Sequence, residues 1–108
     1  MTIAYKVLGQ VNPAATTSTT LYTCPALTSA VASTLAICNQ GSTTTVRAAI
    51  RQAGASLDPK QYIVYDAIVN ANDTLFLTIG VSLETTDIVA VYAGTANVAF
   101  NLFGSEIT

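Results

Sequence analysis

From Val31 to Gly41 the chain reads Val-Ala-Ser-Thr-Leu-Ala-Ile-Cys-Asn-Gln-Gly, an alternation with a period of two. In an extended conformation Val31, Ser33, Leu35 and Ile37 fall on one side, and Ala32, Thr34, Ala36 and Cys38 on the other. The pattern is rich in β-branched residues and stops at Asn39-Gln-Gly, a turn signal. A central strand of a β-sandwich accounts for it most simply. The second face carries only small side chains, so another sheet or another subunit can approach closely there.

The rest of the chain repeats this grammar. Ile3–Gln10 alternates as a first strand, and Asn12-Pro13 opens a loop that runs to Ser18. Thr19–Cys24 is a short strand stopped by Pro25. Thr45–Ala53 sets Val46, Ala48 and Ile50 against Arg47 and Arg51. Gly54–Lys60 is a loop with room for a short helical turn. Gln61–Asp66 is a strand with Tyr62 and Val64 on one face and Ile63 and Tyr65 on the other; Ala67–Asn72 follows as a connection. Asp73–Leu83 has the cleanest alternation, from Leu75 to Leu83, and reads as a core strand. Ile88–Ala93 and Asn97–Phe103 complete the set, the last with Val98, Phe100 and Leu102 inward. About eight short strands at this spacing predict an all-β, antiparallel sandwich in a single domain, residues 1–108. Two longer loops suit a jelly-roll-like order, and an immunoglobulin-like order fits the same spacing.

Function classes narrow by exclusion. Of 108 residues, 51% are apolar and only 9% charged, against about 25% charged in ordinary soluble domains. The solvated surface must therefore be built largely from Thr, Ser, Asn and Gln. Such a surface suits a subunit buried against neighbours, since Lys and Glu are depleted at interfaces. A net charge of −2 supplies no field for nucleic acid. No apolar run approaches the roughly 18 residues of a membrane span, and no basic leader precedes an apolar stretch at the N-terminus. The expectation is a protein made in the cytoplasm.

Catalytic chemistry finds no foothold. The chain has no histidine, which removes the usual base of serine and cysteine hydrolases and leaves Cys24 and Cys38 without partners for zinc. The two cysteines read as free thiols in a reducing compartment; a Cys24–Cys38 bridge is the alternative, and it requires their two strands to be adjacent and in register. Asp58, Asp73, Glu84 and Asp87 fall at turns or strand starts, where carboxylates cap backbone N–H groups. Glu84 and Asp87 are too few for a calcium loop. No cofactor, metal or active site is expected. Arg47 and Arg51, four apart on one strand, share a face, either solvated or reaching acidic residues of a neighbouring subunit. Tyr62 and Tyr65 either pack half-buried or stack on a sugar ring.

Several segments together resemble small β-sandwich virion proteins of tailed bacteriophages, including cyanophages. They are Lys6–Gln10, Leu21–Ala26, Val31–Asn39, Tyr62–Asp66, Ala71–Thr74, Val89–Ala93 and Phe100–Ile107, which together span nearly the whole chain. The resemblance implies a virion structural protein, a capsid decoration or cement protein that binds the major capsid protein and itself. A homotrimer would match three-fold sites of an icosahedral shell. Comparable sandwiches serve in necks, tails and fibres. The resemblance carries no motif for a binding residue, so Arg47, Arg51, Tyr62 and Tyr65 stand as interface candidates on their chemistry alone.

Overall fold

A computed structural model describes residues 1–108. Eight strands form in order: β1 (Ile3–Val11), β2 (Thr19–Thr23), β3 (Ser29–Asn39), β4 (Thr44–Arg51), β5 (Tyr62–Val69), β6 (Thr74–Leu83), β7 (Ile88–Ala93) and β8 (Val98–Ile107). Two single-turn 3₁₀ helices, Gln52–Gly54 and Pro59–Gln61, lie between β4 and β5. The strands build two antiparallel four-stranded sheets, β1-β8-β3-β6 (sheet A) and β2-β7-β4-β5 (sheet B). The first strand pairs with the eighth, the second with the seventh, the third with the sixth and the fourth with the fifth. That nesting, with each partner set split across two facing sheets, is the jelly roll.

Apolar residues at every second position give each strand one face to bury. Phe100, Leu35, Ile37, Leu102, Val46, Val89, Val91 and Val98 are fully enclosed between the sheets. Each side chain of this size contributes about 1.5–3 kcal/mol on leaving water. β3 is central in sheet A, between β8 and β6, as the alternation of Val31–Gly41 predicts. Its end is held by Asn39, a buried amide that donates to the carbonyls of Ser42 (2.8 Å), Val69 (3.1 Å) and Asn70 (3.2 Å) and accepts from Gly41 N–H (3.0 Å). One side chain thus ties the β3–β4 turn to the β5–β6 turn. Three of the four expected caps form: Asp58 accepts from Lys60 N–H, Asp73 from Thr74 N–H, and buried Asp87 from both Ala53 and Glu84 N–H, whereas the Glu84 carboxylate caps no N–H and Glu84 is itself capped.

Register departs from simple alternation at bulges, which changes the expected faces of β3 and β5; the length of β5 and the place of β6 also differ from expectation. In β3 an extra residue at Ser33, opposite Phe103, flips the parity. Ala30, Ala32, Leu35 and Ile37 therefore share the core face, and Val31 turns outward. In β5 two irregularities opposite Val46–Ala49 put Tyr62 and Tyr65 on the same outer face, with Val64 inward between them. That strand also continues to Val69, through residues expected to connect. β6, whose alternation reads as the cleanest core strand, is an edge strand of sheet A. Its Leu75, Leu77, Ile79 and Val81 are only partly buried, because no further strand covers their flank.

Candidate interaction surfaces

The two outward sheet faces differ sharply in chemistry. On sheet A, register places Ile3, Tyr5 and Val7 of β1 beside Ile107, Ser105 and Phe103 of β8, and Val31 of β3 beside Ser105. Tyr5 is 85% exposed, Phe76 69%, Ile3 and Val7 46% each. Between them lie Thr34, Ala36, Cys38, Thr78, Asn101 and Gly80. The charged side chains in these four strands are Lys6 and Glu106, and both are turned to the other side. Glu106 Oε2 accepts from the buried Tyr22 hydroxyl of sheet B (2.6 Å), and Oε1 meets Lys6 Nζ at 2.9 Å. The outer face of sheet A thus carries no charge and exposes three aromatic rings. A shallow depression of about 390 Å³ opens there against Tyr5, Val31, Ser33 and Phe103, and Lys6, whose ammonium is paired with Glu106, also borders it.

The Tyr22–Glu106–Lys6 group closes one margin of the sandwich. The hydrogen bond from Tyr22, then that from Lys6, hold the Glu106 carboxyl below its usual range. Burial, reinforced by the donated bond to Glu106, pushes the Tyr22 phenol up. Burial likewise raises the nearby Cys24 thiol, which donates to Thr28 C=O. Cys24 and Cys38 are both unpaired: the first is enclosed in the β2–β3 connection, the second lies on the outer face of sheet A.

Sheet B presents an ordered aromatic cluster. The Arg47 guanidinium lies over the rings of Tyr65 and Tyr92, 4.4 Å from each centroid. It also forms a fork with Asp66, through Nε (2.6 Å) and Nη2 (3.3 Å). Asp66 reaches that position from a left-handed backbone conformation (φ 52°) in the β5 bulge, a conformation that aspartate tolerates better than most residues. Tyr62 and Tyr65 meet edge to face, centroids 4.9 Å apart. Arg47, Tyr62 and Tyr65 are thus brought together, and Tyr92 joins them by pairing opposite Arg47, which the spacing along one strand does not reveal. Arg51 shares the face but serves another end, donating to Ala55 C=O (2.7 Å) and Gly54 C=O (3.2 Å) of the following loop. Both guanidinium groups are engaged within the chain.

Two depressions flank the cluster. One, of about 600 Å³, is lined by Leu57, Asp58, Pro59, Tyr62 and Tyr65. The other, of about 200 Å³, shares Leu57 and Tyr62 with it and adds Ser18, Arg47 and Tyr92. Comparison of the chain with protein-family models, with curated proteins and with solved structures finds no match.

Proposed function

We propose that this protein is a structural subunit of a phage virion, a capsid decoration or cement protein that docks on the shell and stabilises contacts between capsomers. The observation that carries the reading is the outer face of sheet A: four strands wide, free of charge, and exposing Tyr5, Phe76 and Phe103 with Ile3, Val7 and Val31. Apolar patches of this kind mark protein interaction sites. With Cα extents of 44 × 27 × 19 Å, a sheet face is of the scale that a standard interface covers, about 800 Å² per partner. A cement protein needs a stiff body and adhesive surface, and no chemistry. The partners in this reading are the major capsid protein and other copies of the chain, as a homotrimer. The resemblance over Lys6–Gln10, Val31–Asn39 and Phe100–Ile107 directs the proposal to virions. A cryo-electron reconstruction of purified particles from the source tests it. The expected result is jelly-roll density repeating over the shell with sheet A against its neighbour. Density confined to neck, tail or fibre replaces the decoration role with that alternative, and absence from the particle overturns the structural reading.

A further inference from the structure

The geometry points to a second, independent role for sheet B: the double groove around Tyr62 and Tyr65 is a binding site for a neutral oligosaccharide. A pyranose ring has one face of C–H bonds, weakly positive, and a rim of hydroxyls. It fits an aromatic π-face flanked by hydrogen-bonding groups. Tyr62 and Tyr65 stand at 77° to one another and form a corner, and Tyr65 is 60% exposed. The corner is formed by contacts within the chain, without a ligand. Arg47 braces Tyr65 from within the sheet, Tyr92 supports Arg47, and Asp66 fixes the guanidinium. Ordering cost on binding is correspondingly low.

The polar rim suits hydroxyls. Asp58 uses Oδ1 to hold Lys60 N–H, leaving Oδ2 as an acceptor beside the larger depression, and Ser18 lines the smaller one. Because Tyr62 and Leu57 border both depressions, two consecutive sugar units fit across the ridge better than a single one. Charge selects the class. The one cation in the groove, Arg47, is neutralised by Asp66, and Asp58 adds negative charge, so phosphates, sulfated glycans and nucleic acids are disfavoured. A proline-rich peptide is the rival occupant of an aromatic groove. It prefers parallel ridges of rings, whereas these two rings are nearly perpendicular.

Saturation-transfer NMR with a panel of neutral disaccharides (maltose, cellobiose, lactose and mannobiose), alongside a deca-proline peptide, tests the site. The expected result is transfer to ring C–H protons of at least one sugar, with the Tyr65 ring resonances of the wild-type protein shifting in the same titration. Tyr65→Ala is expected to weaken binding about tenfold, the loss of one stacking contact, while Tyr65→Phe and the opposite-face variant Tyr5→Ala retain it. Silence from every sugar overturns the assignment, as does binding that leaves the Tyr65 resonances unmoved. Binding of the proline peptide alone overturns it in favour of peptide recognition. The shifts in the wild-type protein decide the matter even if Tyr65→Ala fails to fold.

Discussion

At the scale of single residues, the molecule depends on a few polar side chains that the apolar pattern does not announce. Asn39 is enclosed (1% exposed), yet every polar atom of its amide has a partner. Asn39→Ala leaves the carbonyls of Val69 and Ser42 and the N–H of Gly41 without theirs. Chemical denaturation should show a loss of about 2–3 kcal/mol. Glu106 offers a different test. Its folded pKa lies below the ordinary value of 4.5 because Tyr22 and Lys6 favour the carboxylate. A group with a depressed folded pKa binds fewer protons folded than unfolded, so it stabilises the fold above the ordinary value. That contribution is lost as pH falls through the folded one. Melting temperature should therefore drop as pH falls below about 5 in the wild-type protein, and drop less in Glu106→Gln. An equal fall in both would show that other carboxylates set the acid limit. Asn39 was legible only as a turn signal, and the Tyr22–Glu106 bond not at all, since its partners lie 84 residues apart and meet only when β2 and β8 cross the same margin.

At the scale of elements, strand identity was written in the alternation, and strand register was not. Eight strands and most of their limits follow from period-two runs bounded by Pro, Gly and Asn, whereas β5 and β8 run on past their expected ends at Asp66 and Phe103 to Val69 and Ile107. A bulge, however, is a relation between two strands, and residues such as Ser33 or Ile63 look ordinary in their own segment. That is why Tyr62 and Tyr65 read as opposite-facing, although register brings them together, and why Val31 reads as a companion of Leu35. Two glycines show how differently such sites respond to a side chain. Gly80, in the β6 bulge, has φ 58°, and an added Cβ would meet nothing within 4 Å. Gly80→Ala should cost only the backbone strain, about 1 kcal/mol. Gly104 has an ordinary φ, but a Cβ there would strike the Val31 carbonyl oxygen next to the β3 bulge. Gly104→Ala must part β8 from β3 in the middle of sheet A. It should yield little folded protein, readable as loss of soluble expression or a collapsed thermal transition.

At the scale of the whole molecule, edges and faces divide the labour of staying apart and coming together. All four edge strands are irregular: β1 at Leu8, β2 at Leu21, β5 twice, and β6 at Gly80. Bulges of this kind break the run of free N–H and C=O groups that another strand would pair with. Edge-to-edge growth is thereby discouraged, and faces remain as the means of association. Of the two outer faces, that of sheet B ties its charges to itself through Arg47–Asp66, while that of sheet A has none, because the Lys6–Glu106 pair of its strands is turned to the other side. If association runs through sheet A, it is driven by apolar burial, and screening has nothing to act on. On the proposed virion role, association with particles stripped of the protein should then be nearly constant between about 50 and 500 mM NaCl. Tyr5→Asp and Phe76→Asp, both at exposed positions, should leave folding stability within about 0.5 kcal/mol of wild type and abolish rebinding, because each buries an unpaired carboxylate in the contact. Arg47→Ala should rebind normally. The opposite pattern, rebinding that weakens steeply with salt and fails in Arg47→Ala, would move the adhesive surface from sheet A to sheet B.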